Sequence, residues 1–204
     1  LDDKDFIFNK DESTVIFIPE KLYKKEFNKD GNTGFMLKTT GNGELKYAGN
    51  SITGFDSYRG IKAYLYLESD RNPDMVRSWP SDSLINSEYV AGNRVGLVLT
   101  YKPGDDGKIN IRYGISWISE EQARKNLEKE INTWNINKIS DRARNLWNET
   151  LSCIETDGGT DDQRIMFYTS LYRCFERMTD ITEDGRYYSA WSGKVEEAGD
   201  TAFY

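Results

Sequence analysis

Apolar and polar residues alternate with a period of two from Phe6 to about Ile118, and the period turns helical at Ser119. Within the first stretch, Ser13-Thr14-Val15-Ile16-Phe17-Ile18 is β-branched and aromatic and stops at Pro19, as a strand would. Phe35-Met36-Leu37-Lys38-Thr39 runs to Gly41-Asn42-Gly43, after which Glu44-Leu45-Lys46-Tyr47-Ala48 resumes the pattern, which predicts a hairpin. Ile61, Ala63, Leu65 and Leu67 share one face of a further strand. The clearest alternation is Lys108 to Ile118, where Ile109, Ile111, Tyr113, Ile115 and Trp117 interleave with Asn110, Arg112, Gly114 and Ser116. It predicts a buried apolar face and a wet one, the pattern of an antiparallel sheet in a sandwich. The turn residues Pro103-Gly104-Asp105-Asp106-Gly107 set this strand against Leu97–Tyr101.

From Ser119 onward the signals are those of helices. Ser119 and Gln122 form a capping-box pattern, with Glu120 and Glu121 at the positive end of a helix that runs to about Ile131. A second helix carries Ile136, Ile139, Ala143, Leu146, Trp147 and Leu151 on one stripe. Asp157-Gly158-Gly159 breaks the chain, and Thr160 with Gln163 caps a third helix whose Ile165, Tyr168, Leu171, Tyr172 and Phe175 form an apolar face. After Met178 the pattern reads as loop, rich in Tyr and Trp, to Tyr204. The third helix has no partner layer in the sequence. Apolar area left in water forgoes roughly 25 cal/mol per Å², so the expectation is that further polypeptide covers this stripe.

The composition narrows the classes. The 204 residues carry a formal charge of −7, which disfavours a phosphate backbone as partner. No apolar run reaches the length of a membrane span, and Leu1-Asp2-Asp3-Lys4 is not a signal peptide. There is no histidine, which removes imidazole zinc sites, Ser–His triads and histidine bases from this chain. The two cysteines, Cys153 and Cys174, lie in stretches read as helix with no metal spacing, and a disulfide between them is possible but not indicated.

Candidate chemistry is sparse. Asp161-Asp162 and Glu196-Glu197 are adjacent acids, but a glycosidase pair is recognised by spatial separation, and the first pair sits where helix N-termini collect acids. Asp2-Asp3-Lys4-Asp5 and Asn28-Lys29-Asp30-Gly31-Asn32 lack the full spacing of a calcium loop and read as turns. Gly158-Gly159 reads as the start of a helix rather than an anion cradle. Among the tryptophans, Trp117, Trp134 and Trp147 lie on or beside apolar stripes and read as core. Trp79 and Trp191 fall in polar stretches and are the better candidates for exposed, sugar-stacking rings.

Three stretches carry a resemblance. Arg112-Tyr113-Gly114-Ile115-Ser116-Trp117-Ile118-Ser119-Glu120-Glu121-Gln122-Ala123-Arg124-Lys125-Asn126-Leu127 resembles the last sandwich strand and first linker helix of glycoside hydrolase family 92. Asp157 to Phe175, around Gln163-Arg164-Ile165-Met166-Phe167-Tyr168-Thr169-Ser170-Leu171-Tyr172, is similar to that family's first barrel helix, and Asp184-Gly185-Arg186-Tyr187 to the loop after it. Trp134 and Ala143-Arg144-Asn145-Leu146-Trp147 fall where the family places its linker tryptophans, and Arg173 stands where many relatives carry His.

The resemblance implies a mainly β chain with α. An incomplete antiparallel β-sandwich over 1–118 leads into a helical linker over 119–156 and the start of an (α/α)6 catalytic barrel over 157–204. It implies a calcium-dependent, inverting exo-α-mannosidase, with α-1,2-mannosides of glycans as the substrate class. The resemblance also points to a bacterial protein that is secreted, periplasmic or at the cell surface. In such an enzyme a carboxylic acid protonates the leaving oxygen and a carboxylate activates water, the two standing roughly 6.5–9.5 Å apart. No residue of this chain matches those carboxylates or the calcium ligands, so no catalytic or metal residue is assigned here, no calcium is expected on this chain, and the chain alone is expected to be inactive. The alternative is a non-catalytic carbohydrate-binding β-sandwich module. A scaffold domain without sugar affinity is a third reading.

Overall fold

The computed structural model describes residues 7–9, 14–16, 32–80, 83–103, 108–175, 179–199 and 201–203. The stretches Asp2–Asp5 and Asn28–Gly31 lie outside these residues. The chain forms two compact units, Leu1–Glu130 and Ile131–Tyr204.

In the first unit, β1 (Ile7–Asn9) and β2 (Thr14–Ile16) pair as an antiparallel ribbon. The remaining strands are β3 (Thr33–Lys38), β4 (Asn42–Ala48), β5 (Ser51–Tyr58), β6 (Ile61–Ser69), β7 (Met75–Trp79), β8 (Tyr89–Asn93), β9 (Gly96–Tyr101) and β10 (Ile111–Ser116). Among the described residues they form a sheet ordered β10-β6-β5-β4-β8 and a second ordered β3-β9-β7, every pair antiparallel. Leu45, Ile52, Leu67 and Val90 of the larger sheet pack with Val95 and with Leu97, Leu99 and Tyr101 of the smaller sheet's central strand. This is an antiparallel β-sandwich, with its core where alternate inward residues of two sheets meet. The connection β5–β6 is a two-residue turn, Arg59-Gly60, with both φ positive (52° and 85°), as a hairpin turn matched to strand twist requires.

Two hairpins expected from the sequence do not form. β3 and β4 lie in different sheets, and so do β9 and β10. At the first of these corners, side chains replace ladder bonds. The Thr39 N–H donates to the Val95 carbonyl at 2.8 Å, and the Val95 N–H donates to the Thr39 hydroxyl at 3.0 Å. The Asp56 carboxylate accepts from the Thr40 N–H, the Thr40 hydroxyl and the Gly41 N–H at 2.7–3.0 Å. Gly41 and Gly43 serve close approach rather than chain reversal, because a Cβ at either would run into the carbonyl oxygen of Ser57 or Phe55. The segment therefore crosses between layers with its polar backbone satisfied.

Strand β10 inverts the expected burial. Its small residues Gly114 and Ser116 are buried, while Ile111, Tyr113, Ile115 and the following Trp117 are exposed, Tyr113 to 55%. Two neighbours explain this. Helix α1 (Glu120–Glu130) lies against β10 and β6, with Ala123 and Leu127 so close to Gly114 that no Cβ fits there. The Asn126 amide donates to the Ile115 carbonyl at 2.9 Å, tying the helix to the strand. On the other face, Tyr113 pairs with Leu67 and so shares the side of the sheet that builds the core. β10 is the outer strand of its five-stranded sheet, and the second sheet has three strands among the described residues. Arg112 and Glu68, neighbours on the helix-covered face, form an ion pair that Tyr66 joins through its hydroxyl.

In the second unit, α2 (Ile136–Leu151) is capped by Asn135, whose side chain accepts from the Asn137 and Lys138 N–H groups. Helix α3 (Asp161–Cys174) begins with a complete capping box between Thr160 and Gln163. The expected stripes exist, but neither helix buries a residue: Ile136 is 74% exposed and Ile165 is 65% exposed. What contact they make runs through aromatics, with Trp147 at 4.5 Å from Tyr172 and 6.5 Å from Phe175, ring centre to ring centre. The tail expected as loop folds into a hairpin, β11 (Arg186–Ser189) and β12 (Lys194–Glu197).

Candidate functional site

The polar arrangement in the second unit with the clearest chemical character sits on this hairpin. Tyr187 pairs directly across from Glu196, so both point to one face. The Tyr187 hydroxyl donates to one Glu196 oxygen at 3.0 Å and the Ser192 hydroxyl donates to the other. The hydrogen bond from Ser192, then that from Tyr187, holds the Glu196 carboxyl below its ordinary range, so it is ionised near neutrality. Partial desolvation, followed by the Glu196 contact, raises Tyr187. The Tyr187 ring lies flat on Phe203, with centroids 3.9 Å apart and planes at 7°, and Phe203 is itself tied to Ile181 and Thr182 through its backbone. At the tip, the Ser192 N–H donates to the Ser189 hydroxyl and the Gly193 N–H to the Ser189 carbonyl, with Gly193 at φ 68° completing the turn. This braced tip presents Trp191, 99% exposed.

The tryptophans divide differently from the sequence reading. Trp191 is exposed, as expected. Trp79 lies in β7 rather than in a loop and is half-buried, with the Lys38 ammonium 4.6 Å from its ring centre. Trp117 and Trp134, expected in the core, are each more than a third exposed. Trp147 is partly buried in its aromatic cluster.

The adjacent acids form no catalytic pair. Asp161 and Asp162 occupy the first turn of α3, where they complement the helix dipole. Glu196 and Glu197 are neighbours on a strand and so face opposite ways. Arg173 sits in the last turn of α3, where a cation is favoured. Gly158 and Gly159 adopt φ of 78° and 77° and lead into the Thr160 cap. Cys153 and Cys174 are both free and exposed. An open cleft of about 550 Å³ between α2 and α3 is lined by Asn148, Leu151, Ser152, Glu155, Thr156 and Tyr168. Its Tyr168 hydroxyl is engaged with the Ile154 carbonyl at 3.2 Å. Among the described residues no three His, Cys, Asp or Glu side chains converge to hold a metal ion.

Sequence reasoning missed the Tyr187–Glu196–Ser192 network because it missed the hairpin. The signal was present: Arg186-Tyr187-Tyr188-Ser189 and Lys194-Val195-Glu196-Glu197 flank a turn ending in Gly193.

Residues 122–204 match the glycosyl hydrolase family 92 catalytic domain. The chain is 34% identical over 96 residues to an uncharacterized secreted glycosidase of Arthroderma benhamiae. Its fold superposes on a family GH92 inverting mannosidase of Bacteroides thetaiotaomicron VPI-5482 with a TM-score of 0.72 at 27% identity, covering 78% of this chain. A second GH92-family glycosyl hydrolase gives a TM-score of 0.71 at 26% identity over 81% of this chain. The matched region is 44% of this chain and 12% of the Arthroderma protein. The two superpositions cover 23% and 24% of the solved chains.

Proposed function

We propose that this chain is part of an inverting exo-α-mannosidase, calcium-dependent as a whole and directed at α-1,2-linked mannosides of glycans. The carrying observation is that α2 and α3, within the segment matching a glycosidase catalytic domain, bury no residue while presenting Ile136, Leu146, Ile165 and Met166 to solvent. Apolar helical faces of this kind belong to a layered domain whose other helices lie elsewhere in the polypeptide. The likeness to an inverting mannosidase supports the reaction type. The secreted glycosidase from Arthroderma supports an extracellular setting, and we take the source to be a bacterium. The catalytic acid, the base and the calcium ligands are supplied from outside these residues, and the isolated chain is inactive.

The test compares the 204-residue chain with the whole protein on an aryl α-mannoside. The whole protein should release β-mannose as the first anomer, seen by NMR before mutarotation, and lose activity with a chelator. The isolated chain should release nothing above the uncatalysed rate. Turnover by the chain alone, or a whole protein inert on every α-mannoside, would sink the proposal.

A further inference from the structure

Trp191 is the most exposed large apolar side chain among the described residues, at 99%. A ring of this size normally buries about 150–250 Å². Loop aromatics are often kept because they pin the loop down, but Trp191 cannot serve that role, since it packs on nothing. The tip is pinned by other groups: Ser189 accepts from the Ser192 and Gly193 N–H groups, and the strands below are braced by the Tyr187–Phe203 stack. The turn that carries the indole is therefore braced, and the ring itself stands in water.

What else the hairpin carries narrows the ligand. Ser192, the following residue, is bonded to Glu196, whose two oxygens each accept one hydroxyl from the protein and keep further acceptor capacity. A flat apolar plate on the same short hairpin as an acceptor matches a molecule with a C–H face and a rim of hydroxyl donors. That is a pyranose ring. An anionic ligand would be repelled by Glu196, and a purely apolar one would leave the carboxylate's remaining acceptor capacity unused.

We propose that the tip of the β11–β12 hairpin is a saccharide contact, with the Trp191 indole stacked on the C–H face of an α-mannoside unit and the Glu196 carboxylate accepting from its hydroxyls. The class of sugar rests on the mannosidase reading above; the contact itself rests on the hairpin.

The experiment follows the tryptophan indole N–H resonances of the 204-residue chain during titration with α-1,2-mannobiose. Trp191→Phe assigns the Trp191 signal, and cellobiose is the stereochemical control. The Trp191 resonance should move saturably with mannobiose, and Trp191→Ala should weaken binding about tenfold, equivalent to about 1.4 kcal/mol, with an unchanged melting temperature. Glu196→Gln should weaken it less. A Trp191 signal that stays still up to tens of millimolar mannobiose, or affinity unchanged in Trp191→Ala, overturns the contact. Equal response to cellobiose overturns its assignment to α-mannosides. The same Trp191→Ala change in the whole protein should raise KM with kcat retained, and an unaltered KM overturns the contact there. Loss of this contact and loss of the mannosidase reading are separable, because the latter is decided by aryl α-mannoside hydrolysis with Trp191 intact.

Discussion

In the sandwich unit, Ile52, Leu97 and Leu99 are almost completely buried, whereas in the helical unit Ile136 and Ile165 stand mostly in solvent. The strand Leu97–Tyr101 and both helical stripes were visible in the sequence pattern. The difference is whether an opposing layer is present within the unit. Two sheets face each other across Leu45, Ile52, Leu97 and Leu99, while α2 and α3 touch mainly through Trp147, Tyr172 and Phe175. Strand β10 repeats the contrast inside the sandwich: its Gly114 side is closed by α1 and its Tyr113 side is open. A hydrophobic stripe states which face is suited to burial. Burial itself is decided by what stands opposite.

The sharpest way to break this comparison is a matched pair of truncations. Leu97→Ala should cost about 2–5 kcal/mol by denaturant unfolding of the chain, as core deletions do. Ile165→Ala should stay within about 0.5 kcal/mol, as at an exposed site. Equal costs would mean that α3 is covered after all. Gly114→Ala comes next, at about 1–3 kcal/mol or more, since the new methyl meets the Ala123 carbonyl and Leu127, and α1 must lift for it to fit. A smaller loss, about 1 kcal/mol, is expected for Thr160→Ala, which removes half of the capping box. Amide exchange should register it as faster opening of α3 with the sandwich unaffected.

The smallest effect concerns pH. Burial opposes ionisation of Asp56, but the hydrogen bonds from Thr40, Gly41 and Ser57 outweigh it and hold the carboxyl below its ordinary value of 3.8. A depressed carboxylate contributes stability that is fully present above the ordinary value and is lost as pH falls through the depressed one. The gap in unfolding midpoint between the unaltered chain and Asp56→Asn should therefore be constant from neutrality to about pH 5 and close below 3.8. A gap that persists at pH 2 would show that the corner does not depend on the charge of Asp56.

Local signals were legible and distant ones were not. Ser119 and Thr160 announced their helices because a cap is written within four residues. The strands announced themselves by period. The hairpin expected across Gly41-Asn42-Gly43 failed because the corner is fixed by Asp56 and Val95, far along the chain. The buried side of β10 was misjudged because Gly114 and Ser116 look like a wet face until a helix lies on them. The hairpin carrying Trp191 was overlooked because two four-residue strands give too short an alternation to stand out beside aromatic-rich loop.

The two uncoupled thiols have a practical corollary for anyone handling this polypeptide. Cys153 and Cys174 both face water, so aerobic storage at high concentration offers each a partner on another molecule. Ladders on a non-reducing gel would then record air oxidation during preparation and say nothing of native assembly, and a reductant in every buffer keeps the two apart.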